Sequence, residues 1–353
     1  MIDTDLIIVG QGLAGSVLAL KCIEQGYSVV VIDKGELSNC SKIAAGIWNP
    51  VVFKRLTKSW MADDLLPELL QFYRRAEEIL NTSLITKREI IKLFTEQQEV
   101  DLWKKKAGGE LEGYLDKHIY HDNLKGIKSS AYGYSKVLKA GNLDVKKFLA
   151  LTKEFLIGKK SFFEDKFEYI HLKTGERLCY KNITAKRIVF AEGYLIKNNP
   201  YFNYIPFKPA KGEILTISSN DLGIENNIIS KNAFLMCFDK VNYKVGATYN
   251  WEYLNDDVTK EALDELANKF AKITDAKYAV TDQQAGVRPS VIDRRPVIGK
   301  HPVHKNMFVF NGFGTKGVML TPYFANKLID SMKSEEPFPE DVDVSRFNKF
   351  FVN

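Results

Sequence analysis

The segment from residue 6 to residue 33 constrains the fold of this chain more than any other stretch. It reads LIIVGQGLAGSVLALKCIEQGYSVVVID, in which an apolar run leads to three glycines, a helical pattern follows, and a second apolar run ends at an aspartate. Gly10, Gly12 and Gly15 have the spacing of a dinucleotide-binding βαβ unit. In such a unit the first glycine permits the turn, the second lets backbone approach a pyrophosphate, and the third lets the helix pack on the sheet.

The acidic residue at the end of the second apolar run favours one kind of nucleotide. Asp33 lies 18 residues beyond Gly15, at the predicted tip of the second strand. A carboxylate there accepts hydrogen bonds from an adenosine ribose and repels a 2′-phosphate. The start of the intervening helix favours the negative pyrophosphate. The segment therefore predicts a bound adenine dinucleotide, which is either FAD or NAD.

Composition argues against several other classes of protein. The 353 residues are 45% hydrophobic, which is enough for one large domain or two ordinary ones. The 50 basic residues are interspersed with 44 acidic ones, a pattern typical of a solvated surface, so nucleic-acid binding is disfavoured.

The cysteines and the start of the chain indicate where the protein resides. The cysteines are widely separated and have no metal-ligand spacing, so we expect reduced thiols and no metal site. The first apolar run has no basic region before it, and no apolar stretch reaches the roughly 18 to 20 residues of a membrane helix. We therefore expect a cytoplasmic protein without a membrane span. The four cysteines are Cys22, Cys40, Cys179 and Cys237.

Helical and strand patterns alternate along the rest of the chain. Asp144 is the predicted cap of one helix, and Asp257 or Thr259 caps another. A meander of strands is predicted over 211–250. The predicted class is mixed α/β, with a Rossmann-like parallel sheet interleaved with a largely antiparallel sheet. Helical spacing occurs over 62–80, 96–106, 142–156, 257–273 and 317–332, strand patterns over 84–94 and 187–193, and short extended pieces over 117–139.

A second glycine turn, near the other end of the chain, favours a flavin. An apolar strand ends at Asn311, and Gly312, Gly314 and Gly317 precede a helical pattern. Because one turn suffices for the pyrophosphate, the second helix start is available for the N1 and C2 carbonyl edge of a flavin, which becomes anionic on reduction. Lys316 adds positive charge at that edge in this interpretation. A plain strand-to-helix turn with a solvent-facing lysine is the alternative.

Arg288 is the candidate for binding a substrate. It stands in the sequence GVRP, and its planar guanidinium matches a carboxylate bidentately, which a lysine does not. The alternative is an ion pair with Asp293. Trp48 and Tyr249 are candidate pocket residues, with burial in the core as their alternative. The five histidines form no constellation with a serine or cysteine, so nucleophilic hydrolysis has no support.

The chain resembles the FAD-dependent amine and amino acid oxidoreductase family that includes D-amino acid oxidase, glycine oxidase and sarcosine oxidase. The matching motifs keep their order and spacing from end to end. The AAGIWNP stretch is close to the D-amino acid oxidase version, and the GVRP and NGFGTKG stretches are more similar to glycine oxidase. These motifs are GQGLAG with Asp33, SKIAAGIWNP, RIVFAEG, YKVGATYNW, GVRPSVIDRRPVIG and NGFGTKGVMLTP.

The resemblance implies a cofactor, two domains and their residues. It implies an FAD-binding domain over 1–84, 144–207 and 284–353, and a substrate-binding domain over 85–143 and 208–283. Noncovalent FAD is expected because no cysteine lies near NGFG. The resemblance also implies that Arg288 binds the substrate carboxylate and that Asn49 lies near the flavin ring. The residues expected around FAD are Gly10, Gly12, Leu13, Ala14, Gly15, Asp33, Lys34, Ser41, Ala44, Ala45, Gly46, Ile47, Ala191, Gly193, Gly286, Gly312, Phe313, Gly314, Thr315, Lys316, Gly317 and Val318.

One departure from the family bears on the substrate. D-amino acid and glycine oxidases usually carry a tyrosine on the meander strand that assists carboxylate binding. The corresponding stretch here, NAFLMCFDK, has Phe234, Met236, Cys237 and Phe238 instead. Either the carboxylate rests on Arg288 alone, or the substrate is not a simple amino acid.

Together these observations predict the reaction. We expect oxidation of the C–N bond of a small amine or amino acid by hydride transfer to flavin N5, followed by hydrolysis of the imine. The electron acceptor is oxygen or another molecule, and the oligomeric state stays open. Three alternatives also stay open: an oxidase of a modified tRNA nucleoside, an NAD-dependent dehydrogenase, and a flavin-binding module without catalysis.

Overall fold

Two eight-stranded sheets organise residues 1–35 and 40–352, the part of the chain that the computed structural model describes. The helices are α1 (Leu13–Glu24), α2 (Cys40–Ile43), α3 (Ala62–Leu80), α4 (Gln97–Ala107), α5 (Val145–Gly158), α6 (Lys260–Ala271) and α7 (Gly317–Ser334). The strands are β1 (Ile2–Val9), β2 (Val29–Asp33), β3 (Ile47–Trp48), β4 (Val51–Val52), β5 (Thr57–Lys58), β6 (Ile85–Leu93), β7 (Tyr134–Leu143), β8 (Phe162–Glu164), β9 (Leu172–Lys173), β10 (Leu178–Tyr180), β11 (Ile183–Phe190), β12 (Ala210–Ser218), β13 (Asn227–Ser230), β14 (Phe234–Asp239), β15 (Asn242–Gly246), β16 (Ala279–Arg288), β17 (Val297–Lys300) and β18 (Met307–Asn311).

The first sheet is the predicted parallel sheet, and β1 lies at its centre. Its strand order is β17-β18-β11-β1-β2-β8, with β10 and β9 added beside β11. The strands from β18 to β8 run parallel, and β17, β10 and β9 pair antiparallel. Residues 6–9 and 29–32 are buried on both faces, as their unbroken apolar runs predict for parallel strands covered on two sides. The Rossmann-like prediction is confirmed.

The second sheet is largely antiparallel, as predicted. Its order is β16-β12-β15-β14-β13-β6-β7-β3, and β13 with β6 is the parallel pair. One face packs on α6, where Leu215 and Val245 join Leu266 in one apolar cluster. Ile90 and Ile228 belong to the large cluster that also contains residues of α1, α3 and α7. The two sheets therefore share one core.

Helix starts follow the capping residues of the sequence. The Asp144 carboxylate accepts a hydrogen bond from the Lys147 N–H at 3.0 Å, so α5 begins at Val145 rather than at residue 142. The Thr259 hydroxyl accepts from the Ala262 N–H at 3.2 Å. Of the two predicted caps of α6, Thr259 is therefore the one that the structure uses.

The structure adds detail to two expectations about the chain. In the region 117–139, where short extended pieces are expected, residues 117–133 contain turns and isolated bridges, and a regular strand begins at Tyr134. The predicted domain limit at residue 284 falls inside β16, which belongs wholly to the second sheet. Likewise β3 lies in the second sheet, although residues 1–84 are predicted to belong to the FAD-binding domain. The other domain limits stay predictions.

Candidate functional site

A cavity of about 1300 Å³ is lined by residues of both sheets. One part of its lining is the β1 wall, which consists of Gly10, Gly12, Leu13, Ala14 and Asp33. Gly10 has a φ of 101°, in the region that favours glycine. A Cβ at Gly15 would lie 1.9 Å from the carbonyl oxygen of Gly10. Only glycine therefore lets α1 pack this closely on the end of β1.

The β1 wall is held by a carboxylate and ends in a helix start. Asp33 Oδ2 accepts a hydrogen bond from the Gln11 N–H at 2.7 Å, and Oδ1 accepts from the Gly35 N–H at 2.8 Å. Of the first N–H groups of α1, that of Leu13 donates to the Ser41 hydroxyl at 3.2 Å, and that of Ala14 has no carbonyl partner within the helix. The helix start consequently offers donors and a positive dipole end to an anion in the cavity.

Glu192 is a lining residue that the sequence did not single out. It stands in the motif RIVFAEG and contributes a carboxyl that accepts hydrogen bonds from the Tyr169 hydroxyl and, at 2.7 Å, from the Asn199 amide. Burial raises the pKa of this carboxyl to about 7.

Residues 165–167 line the same region without any sequence signal, because they reach it only through the pairing of β8 with β2.

The second glycine turn contributes another wall, where β18 passes into α7. Gly312 lies behind this wall, since a Cβ there would meet Val291 Cγ2 at 2.8 Å. Lys316 does not line the cavity either, because its ammonium donates a hydrogen bond to the Ser59 hydroxyl at 2.7 Å. Burial lowers the pKa of Lys316, and nearby Arg295 lowers it further. The lining residues of this turn are Phe313, Gly314, Thr315, Gly317 and Val318.

Arg288 lies at the end of β16 and faces the cavity. Its Cζ lies 4.4 Å from the centre of the Tyr249 ring, and its N–H groups donate to the carbonyl oxygens of Lys211 and Thr248 at 3.3 Å. Burial lowers the pKa of the guanidinium. The alternative ion pair with Asp293 does not form, because Arg346 binds that carboxylate at 2.9 Å.

Gly212, on β12, is a lining residue absent from the predicted site. A Cβ there would lie 1.9 Å from Arg288 Nη2 and 2.2 Å from its Cζ. A signal for it existed, because a glycine inside the strand pattern KGEILTI indicates a close approach of another group. Gly212, Tyr249 and Arg288 are called the arginine wall below.

The remaining candidate pocket residues lie in different environments. Asn49 and Tyr249 line the cavity, and Phe234 lies in the lining too, in the stretch where the family carries a tyrosine. The prediction that Trp48 lines the pocket is wrong. Trp48 is 2% exposed, and its indole N–H donates to the Lys139 carbonyl oxygen at 3.0 Å, so it is a core residue.

The lining fits an extended dinucleotide. It offers an anion-binding helix start, a carboxylate at the tip of β2, and a second helix start at α7. Gly286 permits α2 to approach β16, since a Cβ there would meet Ile43 Cδ1 at 2.7 Å. The other predicted cofactor residues that line the cavity are Lys34, Ser41, Ala44, Ala45, Gly46, Ile47, Ala191 and Gly193.

Within 1–35 and 40–352, no group of three or more His, Cys, Asp and Glu side chains is arranged to hold a metal ion. No helix in those ranges has both the length and the apolar character needed to cross a membrane.

Known proteins resemble this chain over almost its whole length. A family model described as FAD dependent oxidoreductase (DAO) matches residues 5–331. Glycine oxidase of Bacillus licheniformis is 23% identical over 350 residues, which cover 92% of each protein. The structure of glycine oxidase from Geobacillus kaustophilus has a TM-score of 0.79 at 18% identity and covers 98% of both chains. Iminodiacetate oxidase from Chelativorans sp. BNC1 has a TM-score of 0.77 at 17% identity, over 96% of this chain and 98% of its own.

Proposed function

Because this chain belongs to the DAO family of FAD-dependent oxidoreductases, we propose that it oxidises the C–N bond of a small amine that carries a carboxylate, such as an amino acid. The proposal rests above all on Arg288, whose guanidinium lies in the same cavity as the two glycine turns. The names of two similar proteins, glycine oxidase and iminodiacetate oxidase, point to substrates of this kind.

The β1 wall and the α7 turn are suited to hold FAD without a covalent bond. In this proposal the start of α1 binds the pyrophosphate and Asp33 accepts hydrogen bonds from the ribose. The start of α7 stabilises negative charge at the pyrimidine edge of the ring. When bound, FAD supplies the acceptor for a hydride from the carbon that bears the amine.

The chain contributes orientation and a dry pocket. Arg288 presents a planar fork that binds a carboxylate in one orientation, which fixes the carbon next to the amine. Apolar surroundings exclude water and favour the neutral amine over the ammonium. No general base is required for hydride transfer from a neutral amine. The apolar lining residues on this side are Ile90, Ile214, Ile228 and Phe234, on strands of the second sheet, and Ala233 and Ala247, next to those strands.

Anaerobic reduction of the bound flavin tests the proposal. The purified holoprotein is mixed with glycine, sarcosine, iminodiacetate and both enantiomers of alanine, and in parallel with methylamine, dimethylamine and ethylamine as matched amines without a carboxylate. We expect at least one carboxylated amine to bleach the flavin and its matched amine not to. The proposal fails if the protein holds no flavin. It also fails if dithionite reduces the bound flavin but none of these compounds does. Flavin that stays with acid-precipitated protein would contradict noncovalent binding.

A further inference from the structure

We infer that Gly212 is a positioning residue for Arg288 and thereby decides whether the cavity accepts a carboxylate. The inference rests on the proposed function, which assigns the carboxylate to Arg288. Gly212 itself contributes no polar side-chain atom. It acts by leaving room for the guanidinium against the backbone of β12.

The register of the sheet explains why residue 212 meets the arginine. In the antiparallel pair of β12 and β16, Ala210 lies opposite Arg288 and Gly212 lies opposite Gly286. Gly212 is thus the diagonal neighbour of Arg288 on the same face, within reach of a long side chain. A Cβ at residue 212 would lie 1.9, 2.2 and 2.4 Å from Nη2, Cζ and Nη1 of Arg288. The whole guanidinium therefore covers the site of the missing side chain.

The guanidinium is enclosed on its other sides as well. The Tyr249 ring stacks over Cζ at 4.4 Å. Nη1 donates to the Lys211 carbonyl oxygen, and both Nη atoms donate to the Thr248 carbonyl oxygen, each at 3.3 Å. These contacts hold the guanidinium plane in one orientation. Its remaining N–H groups are available to a ligand in the cavity. A shift of the side chain would break the stack and the carbonyl contacts together.

The backbone around Gly212 is fixed, so it does not yield to an added methyl group. Lys211 and Asn250 exchange backbone hydrogen bonds at 2.8 and 3.0 Å. On the other side, the Glu213 N–H donates to the Thr248 hydroxyl at 2.9 Å, and the Thr248 N–H donates to the Glu213 carbonyl oxygen at 3.2 Å. Both peptide links of Gly212 are therefore tied to the segment 248–250.

Buried charges reinforce this attachment. The Lys211 ammonium, 2% exposed, donates to the Asn255 side-chain oxygen at 2.9 Å and lies 3.6 Å from Glu213 Oε1. Glu213 in turn accepts hydrogen bonds from Thr259 and, at 2.7 Å, from the Gln283 amide. Moving β12 would break buried polar contacts, which is costly. The flexible arginine side chain moves instead.

Substitution of Gly212 by alanine should therefore remove the carboxylate site and leave the cofactor site intact. Benzoate is the probe for the carboxylate site, with benzamide as its neutral counterpart, and binding is followed by the change in flavin absorbance. We expect Gly212→Ala to weaken benzoate binding by about tenfold or more, as loss of a charge-assisted fork implies. Benzamide affinity and the ratio of flavin to protein should stay as in the parent.

A double-mutant cycle distinguishes positioning from a structural defect. Gly212→Ala should lower the melting temperature in the parent by a few degrees or more, as overpacking does. In the Arg288→Ala background the guanidinium is gone, so the same change should lower neither the melting temperature nor the benzoate affinity. Gly223→Ala is the matched control, because its methyl group would also be crowded by a long cationic side chain, with Cδ and Cβ of Lys125 at 2.8 and 2.9 Å, but away from the cavity. It should leave benzoate binding unchanged.

The outcomes separate this inference from the proposed function. Parent-like benzoate affinity in Gly212→Ala overturns the inference. So does an equal fall of the melting temperature in both backgrounds, since that indicates a defect independent of Arg288. If Arg288→Ala alone leaves benzoate affinity unchanged, the carboxylate role of Arg288 in the proposed function is wrong, and the melting temperatures still report whether residues 212 and 288 are coupled.

Discussion

The β1 wall and the arginine wall enclose one cavity but are built in opposite ways. The β1 wall comes from a single βαβ unit, and it acts through backbone N–H groups, absent side chains and the carboxylate of Asp33. The arginine wall joins Gly212 and Arg288, which lie 76 positions apart along the chain, and acts through one side chain. A local backbone site depends on glycine at fixed spacing, whereas a nonlocal side-chain site depends on strand register. Substitutions in the two walls should therefore have different effects on folding and on ligand binding.

The largest effect is expected from Gly15→Ala, directly behind the β1 wall. The new methyl carbon would lie 1.9 Å from a backbone oxygen, and neither β1 nor α1 has room to move. We expect the free energy of unfolding to fall by about 4 kcal/mol or more, which leaves little folded or flavin-bearing protein. Thermal denaturation and the flavin-to-protein ratio measure this.

Gly158→Ala is the control for that prediction. It adds the same methyl group to a helix at a position with nothing within 4 Å, and we expect parent-like stability and flavin content. A Gly15→Ala protein that binds flavin and melts like the parent would contradict the view that the packing behind the β1 wall tolerates no side chain at residue 15.

The next largest effect is expected in the arginine wall. Arg288→Ala should weaken the binding of carboxylate ligands by about 2 to 4 kcal/mol while FAD stays bound. Arg288→Lys keeps the charge but loses the planar fork and the stack on Tyr249, so its affinity should fall between those of the parent and Arg288→Ala. Titration of the flavin absorbance with benzoate measures both. Equal affinities of the lysine variant and the parent would show that charge alone suffices.

The same contrast explains how much of the site can be predicted from sequence. Gly10, Gly12, Gly15 and Asp33 belong to one continuous segment, so their spacing specifies the β1 wall before any tertiary structure is known. The motif GVRP indicates Arg288 but none of its neighbours. Its contact with Gly212 exists only once β12 and β16 have paired, and Tyr249 reaches it through the hydrogen bonds of segment 248–250 to β12. The register of distant segments is not encoded locally.

The wrong prediction for Trp48 has a related explanation. Trp48 follows the small residues 44–46, which are predicted to pass the cofactor. Successive side chains along an extended segment point to opposite faces, so Trp48 is buried while its neighbours Ile47 and Asn49 line the cavity. The whole-chain fold was predictable because glycine turns and helix caps such as Asp144 are local signals. The domain limit at residue 284 stays a prediction that no local signal marks, because β16 continues through that residue.

A smaller effect is expected from Glu192, whose polar side chain lines the cavity near the β1 wall. Glu192 has an ordinary pKa of 4.5 when unfolded and about 7 when folded. Between those values the unfolded chain loses its proton first, so this group makes stability fall as pH rises from about 4.5 to 7. Glu192→Gln removes that loss. We expect the variant to match the parent near pH 4.5 and to exceed its free energy of unfolding by about 1 to 3 kcal/mol at pH 8.

Denaturation at several pH values between 4.5 and 8 measures this difference. Glu176→Gln changes an exposed carboxylate in the same way and should not alter the pH profile. If the advantage of Glu192→Gln were the same at every pH, the titration of Glu192 would not be its cause.

The smallest effect is expected at Lys316, which lies beside the α7 turn but outside the lining. Its ammonium is directed at Ser59, and a positive charge at the start of α7 opposes the helix dipole. Lys316→Met loses the hydrogen bond but relieves the dipole repulsion, so the free energy of unfolding should change by about 1 kcal/mol or less. Benzoate affinity and the flavin reduction potential should stay at parent values, because the backbone of the turn rather than this side chain faces the cavity. A more negative reduction potential in Lys316→Met would place the lysine at the flavin edge after all, and it would show that the α7 turn acts through a cationic side chain as well as its backbone.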